Sequence, residues 1–405
     1  MKTVAIISEY NPFHTGHKYQ LDRIREEFGQ DTRIIAIMSG NFTQRGETAI
    51  TDKTTRAECA VKGGVDLVLE LPFPHSSSSA EFFARAGVSI ANSLGVVDVL
   101  SFGSESGDIE VINTIAKAMI SSKYTEKIAE LSADPDFNSF GYPRLCEIAY
   151  CELFSKKLNY DFSSSNNILA LEYVKALILE NSSITSHTIK RCGADYNEEK
   201  IVDSIHQSAS AIRSSSTISP ISALDYMPLS SKSTILSAIN SGSYPCDMEK
   251  LSTAIISHFR LNPPSAEQAI HDAGGGLYNR IYNNSFKTNS INELIKLTDT
   301  KKYTSARVRR AILNSFLGVT SSKVKNPPLY TQVLAMNGVG KSILKEIKKK
   351  GAISVITKPT SYEGLPAEAK IQKEFSDRAD FVFQLTKPAF FMGATALRTT
   401  PFVAD

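Results

Sequence analysis

The chain has 405 residues, 42% of them hydrophobic and 21% charged, with a formal charge of +3. That balance belongs to a globular protein with room for two or three domains, and it excludes a disordered or low-complexity chain; no apolar run approaches the eighteen or so residues of a membrane span. The five cysteines (Cys59, Cys146, Cys151, Cys192 and Cys246) are scattered, odd in number and without a Cys-x-x-Cys pair, which argues against a disulfide frame or a metal site. Met1-Lys2 runs straight into an apolar stretch rather than a leader, so a cytoplasmic protein is expected.

Taken in chain order, residues 4–8 form a short apolar run, and residues 18–28 carry helical spacing at Leu21, Ile24 and Phe28. Residues 33–38 make a second apolar run, 53–61 a helix, and 66–71 a third strand stopped by Pro72. A helix over 79–94 and a fourth strand over 96–102 follow. Alternating helices and nearly continuous apolar strands predict a doubly wound parallel sheet, an α/β fold whose ligands bind beyond the carboxyl ends of the strands. Residues 109–157 read as mostly helical, 161–167 as a polar turn, 168–179 as a helix and 184–190 as a further strand. Beyond Ser208 the pattern is helical, with no convincing strand until Ile353. A Ser-rich passage over 213–220 marks a boundary, dividing the chain into an α/β domain (1–215) and a mainly helical domain (216–405).

The chain has seven histidines, and two of them, His14 and His17, stand three residues apart where the first strand gives way to a helix. Asn11-Pro12-Phe13 ends the strand, Thr15 is the expected helix cap, and residues three apart share a helix face. Both imidazoles can therefore converge beside a helix N-terminus, where free N–H groups favour an anion. Gly16 between them allows close approach to the backbone. Fixed donors aimed at a leaving pyrophosphate suit adenylyl transfer. A helix cap beside a solvated histidine is the plain alternative.

His14-Thr15-Gly16-His17 has the HxGH signature of the nucleotidyltransferase superfamily. The ordered segments SEYNPFHTGH (8–17), MSGNFTQRG (38–46) followed by Asp52-Lys53, DLVLELP (66–72), SFGSE (101–105), NNILALEY (166–173), IKR (189–191), DAGGGLYNRI (272–281) and TKKYTSARVRR (300–310) together resemble the bacterial tRNA(Met) cytidine acetate ligase family over nearly the whole chain. The resemblance implies a Rossmann-like HxGH nucleotidyltransferase domain followed by a mainly helical RNA-binding domain. It also implies an enzyme that uses ATP, with Mg2+ as its expected companion, to activate acetate as acetyl-adenylate. The acetyl group then passes to N4 of the wobble cytidine, C34, of elongator tRNA(Met). Carried over by position, the ATP site comprises Ile7, Ser8, Glu9, Tyr10, Asn11, Pro12, Phe13, His14, Thr15, Gly16, His17, Lys18, Tyr19 and Gln20, completed by Gly103, Asn166 and Arg191, with Asn167 the alternative to Asn166. His14 and His17 are the catalytic pair. SASAIRSSS (208–216) resembles the second superfamily signature, with Arg213 the basic residue and Ser210 where many relatives have Thr. Asn41, Gln44, Arg45, Asp52, Lys53 and Arg56 follow the second strand, and Arg45 or Lys53 is a candidate for the acetate carboxylate or the tRNA. No metal ligands and no obligate protein partner can be named.

Residues 301–350 hold twelve Lys or Arg against one acid, Glu346, in a chain of net +3, so the rest of the chain is net acidic. Such a local excess is the footprint of a phosphate backbone. Lys301, Lys302, Arg307, Arg309 and Arg310 are the RNA-binding candidates, joined by Lys341, Lys345, Lys348, Lys349 and Lys350 in a basic stripe. Tyr303 and Tyr330 are candidates for stacking on bases. Asn337-Gly338-Val339-Gly340-Lys341 lacks the Walker spacing. Two other functions stay open: a nucleotidyltransferase making a small-molecule cofactor, and a non-catalytic tRNA-binding protein.

Overall fold

Val4, Ala5, Ile6 and Ile7 are all buried, as are Ile34 to Met38 and Leu67 to Leu69, the mark of strands covered on both faces. The computed structural model describes residues 1–137, 140–154, 160–191, 208–264, 270–389 and 400–404; Cys192 lies outside them. Strands β1 (Thr3–Ser8), β2 (Arg33–Ser39), β3 (Leu67–Leu71), β4 (Val99–Ser104) and β5 (Thr185–Lys190) alternate with helices α1 (Thr15–Phe28), α2 (Lys53–Lys62), α3 (Ala80–Ser93), α4 (Ile109–Met119), α5 (Ser122–Ala133), α6 (Tyr142–Phe154) and α7 (Ser165–Leu179). Then come α8 (Ala209–Ile218), α9 (Leu229–Asn240), α10 (Ser252–Leu261), α11 (Leu277–Ser285), α12 (Ile291–Thr298), α13 (Ser305–Leu317) and α14 (Ser321–Lys325). The chain closes with β6 (Tyr330–Met336), α15 (Gly338–Lys350), β7 (Ser354–Ile356), α16 (Ala367–Gln384) and β8 (Phe402–Val403).

The strand order is β5-β4-β1-β2-β3-β6-β7, with β8 against β6. β1 to β5 are mutually parallel, and β6 runs antiparallel to β3. Ala5, Ile7, Ile35, Ile37, Leu67 and Leu69 face α3, α7 and α15. Val4, Ile6, Ile34, Ala36 and Met38 alternate with them and pack on α1, α2 and α9. α10 to α13 enclose a separate core built on Ile255, Phe259, Leu277, Leu294 and Ile312.

Two expectations are corrected here. The segment Tyr330–Met336 is a strand, although the sequence suggested none before Ile353. Its Gln332 and Ala335 blur the alternation, while both faces are covered in the folded sheet. The expected boundary at 215 therefore does not partition the sheet, because β6, β7 and β8 return to it from beyond that point.

Candidate active site

Chain order runs outward from β1 to β2 and β3 on one side and resumes at β4 on the other. The crevice at the carboxyl ends of β1 and β4 is thus the topological switch point, where α/β sheets bind ligands. The turn after β1 enters this crevice and seats His14 and His17.

His14, rather than the expected Thr15, is the N-cap of α1. Its Nδ1 accepts the Gly16 N–H at 3.0 Å, and its own N–H donates to His17 Nδ1 at 3.3 Å. This is a capping box built from two imidazoles. With both Nδ1 atoms accepting, the ring protons sit on Nε2, so each ring is a neutral donor at its outer edge. The ring centroids are 3.9 Å apart. Tyr10 and Phe13 pack on His17, at 4.8 and 5.7 Å. Burial, reinforced by the Arg191 guanidinium, pulls the His17 pKa down to about 3, which keeps it uncharged at neutral pH.

The turn itself is held from several sides. Tyr10 adopts φ 46, the left-handed region that a non-glycine residue enters only when its surroundings impose it; its side chain is 1% exposed. Gly63 leaves space for the Phe13 ring, which a Cβ there would meet at 2.4 Å. Asn11 Oδ1 accepts the Ile50 N–H at 2.7 Å, and its carbonyl accepts Arg213 Nη1 at 3.0 Å. Arg213 also donates to Ser210 Oγ at 3.2 Å, so the start of α8 is fastened to the turn. Glu9 Oε1 accepts the Gln44 N–H at 2.8 Å, and burial holds the Glu9 pKa above its usual range. Further along α1, Lys18 pairs with Asp22, Tyr19 packs partly buried against the layer around Leu21, and Gln20 is half-buried.

Across the crevice, the Gly103 backbone lies against Arg191: a Cβ at 103 would stand 3.3 Å from Arg191 Cγ. Arg191 is exposed, and its N–H is anchored to the Ser104 carbonyl at 3.0 Å. Asn166 Nδ2 donates to Glu105 Oε1 at 2.6 Å. Asn167 is 1% exposed, and its Oδ1 accepts the Glu105 N–H at 3.0 Å. Asn166 is therefore the residue nearer the surface, and Asn167 fastens the loop. Arg45 reaches the same side, donating to Ser165 Oγ at 2.8 Å. Gly103, Asn166 and Arg191 thus gather at the carboxyl end of β4, the neighbour of β1, whose following turn carries His14 and His17.

Other candidates have different work. Lys53 is 4% exposed and contacts both Glu70 and Asp380 at 2.6 Å; its ammonium is committed, so it is not an acetate or RNA ligand. Asn41 Nδ2 donates to Asp380 at 2.8 Å. Arg56 donates to the carbonyls of Glu9, Ser39, Gly40 and Thr51, and burial lowers its pKa to about 10. Asp52 caps α2 through the Thr55 N–H.

The basic window also divides. Lys301 and Lys302 are exposed. Arg309 pairs with Glu47 at 3.1 Å, and Arg310, 8% exposed, pairs with Asp272 at 2.7 Å. Arg307 donates to the carbonyls of Asp272 and Gly274, so these arginines brace the glycine loop over 274–276. Tyr303 is 9% exposed with its hydroxyl on the Gly275 carbonyl, and Tyr330 is fully buried; neither ring is open for base stacking. Asn337 caps α15 by accepting the Gly340 N–H at 2.9 Å, which accounts for the glycine-containing stretch without a phosphate.

Sequence reasoning passed over three carboxylates. Glu105 holds the start of α7, Glu47 lies between Arg213 (3.8 Å) and Arg309, and Asp380 closes the Lys53 network. Only Glu105 carried a signal, its place directly after a strand.

The family model for HIGH Nucleotidyl Transferase matches residues 1–393. A tRNA(Met) cytidine acetate ligase of Clostridium perfringens is 37% identical over 401 residues, 96% of each chain. The chain belongs to this ligase family. A further member, from Caldanaerobacter subterraneus subsp. tengcongensis, is 39% identical over 90% of each chain. Among solved structures, Thermotoga maritima TmcAL bound with alpha-thio ATP matches with a TM-score of 0.90 at 29% identity, covering 100% of this chain and 99% of that one. The apo form of the same protein gives 0.91. No helix among the described residues is long and apolar enough to cross a membrane.

Proposed function

We propose that this family member is an ATP-dependent acetate ligase of elongator tRNA(Met), working in the cytoplasm. An acetate oxygen attacks the α-phosphorus of ATP, the bond to the β-phosphate oxygen breaks, and pyrophosphate leaves. N4 of cytidine 34 then attacks the acetyl carbonyl carbon, AMP departs with the mixed-anhydride oxygen, and the N4 proton passes to a base. The product is N4-acetylcytidine.

The observation that carries this reading is the tautomer of the two histidines. Both Nδ1 atoms are occupied by backbone N–H groups, so two neutral Nε2–H donors stand where charge grows on the leaving pyrophosphate. Arg191 supplies the permanent cation on the opposite wall, suited to a phosphate. Gly103 leaves room for the nucleoside against the backbone. Asn166 offers an amide to the ribose or base. The alpha-thio ATP bound to the Thermotoga maritima relative and the names of the curated relatives support the same assignment. Mg2+ is assigned to the triphosphate it accompanies.

ATP–pyrophosphate exchange, assayed with unmodified tRNA present, tests the activation step. Exchange is expected to require acetate. Exchange at the same rate without any carboxylic acid contradicts the reading and favours a cofactor nucleotidyltransferase.

A further inference from the structure

The lysines of α15 lie away from the crevice. Gly340 packs on Asp66, just ahead of β3, where a Cβ would fall 2.1 Å from the Asp66 carbonyl oxygen. Asn337 Nδ2 donates to Asp66 Oδ1 at 2.9 Å. Glu346 pairs at 2.5 Å with Arg33, the first residue of β2. Gly95, shortly before β4, abuts the Lys350 carbonyl. All these anchors mark the amino edge of the sheet, whereas His14, Gly103 and Arg191 stand at the carboxyl edge. At about 3.3 Å per residue, strands of this length separate the two edges by roughly 20 Å.

The helix periodicity decides which side chains face outward. Ile343 and Ile347 are buried against the sheet, and Lys341, Lys345, Lys348 and Lys349 occupy the opposite side, all exposed. Among the described residues none of the four has an ion-pair partner. The one acid of the segment, Glu346, is held by Arg33. The α13 arginines, by contrast, are engaged with Glu47, Asp272 and nearby carbonyls.

We propose that the exposed lysine stripe of α15 is a second RNA-binding surface, which holds the phosphate backbone of the tRNA outside the loop that carries the modified base. The proposal rests on the function given above. A loop base presented at the carboxyl edge belongs to a folded RNA large enough to reach about 20 Å along the sheet, and four unpaired cations at helical spacing match a phosphate backbone in charge. These contacts are independent of sequence and add affinity rather than selecting the base.

The test replaces Lys341, Lys345, Lys348 and Lys349 together with Ala in the full chain. Alanine keeps helix propensity, and the same four positions changed to Arg provide a variant that retains the charge. Binding of unmodified elongator tRNA(Met) is measured across salt concentrations, alongside acetylation kinetics. The Ala variant is expected to bind about tenfold or more weakly at low salt, with the slope of log K against log salt reduced by about 3. Its KM for tRNA should rise with kcat unchanged, and the Arg variant should match the parent. Equal affinity and slope for the Ala variant and the parent overturn the proposal. A parent that acetylates tRNA while the Ala variant binds equally well sinks this surface alone; a parent that binds tRNA with the expected slopes yet transfers no acetyl group sinks the proposed function alone.

Discussion

The Lys53 ammonium and the Asp380 carboxylate meet at 2.6 Å although 327 residues separate them in the chain. Glu70 contacts the same ammonium at 2.6 Å, and Asn41 bonds Asp380. The end of β2, the start of α2, strand β3 and helix α16 are thereby joined at one buried point. Removing Lys53 leaves two buried carboxylates without their cation. Lys53→Met is expected to lose about 3–5 kcal/mol of stability, read from urea unfolding. A loss below about 1 kcal/mol would show that the network is dispensable.

His14 caps α1 and, in the proposed function, also serves the chemistry; two substitutions separate the roles. His14→Ala should lower acetate-dependent exchange by about 100-fold to 1,000-fold and cost about 1 kcal/mol as the cap is lost. His14→Asn restores a cap acceptor but not an imidazole donor. It should recover the stability and leave exchange low. Exchange in His14→Asn equal to the parent means that His14 acts only as a cap.

The closeness of Gly103 to Arg191 is testable through size. A valine at 103 must displace the Arg191 side chain, whose Cγ is 3.3 Å from the new Cβ. Loss of a charge-assisted contact to phosphate is worth about 1.5–3 kcal/mol. Gly103→Val is therefore expected to raise KM for ATP about tenfold to 100-fold, with Arg191→Ala similar and the double variant little worse than either single one. Additive losses would place the two residues in separate roles.

Acid should weaken the fold through His75. Burial holds its pKa down at about 4, and its Nε2 lies 2.7 Å from the Asn326 carbonyl. The unfolded group titrates near 6.5, so the neutral form contributes fully above that pH and its contribution falls as pH drops toward 4. At pH 5.5 the loss is about 1.4 kcal/mol. His17, held down to about 3 by burial, acts in the same direction. Glu9 and Glu70, raised by burial, act oppositely on acidification, so the informative quantity is the difference between the parent and His75→Gln. The parent should lose more stability than the variant between pH 7.5 and 5.5. Equal losses contradict the assignment.

The parallel sheet was legible because β1 to β4 are apolar on both faces, which leaves few alternatives to a sheet between helix layers. β6 was not, since Gln332 and Ala335 interrupt its apolar pattern and its partner β3 lies more than 250 residues earlier. The histidine pair was legible from strand, turn and spacing; that His14 itself caps α1 was not, because histidine is a rare cap and Thr15 a common one. Charge counting found the basic window but could not see that Arg309 and Arg310 meet acids from 47 and 272, nor that α13 and α15 sit at different edges. Pairings between distant segments leave no periodic trace in a sequence.

Incubating the purified chain with ATP, labelled acetate and unmodified elongator tRNA(Met), followed by nucleoside analysis, tests the central claim most directly. Label is expected in N4-acetylcytidine, and none when cytidine 34 is replaced by uridine. Acetate-dependent pyrophosphate exchange with no label in the RNA would contradict the proposed acceptor, and no exchange with any short carboxylic acid would contradict the ligase reading as a whole.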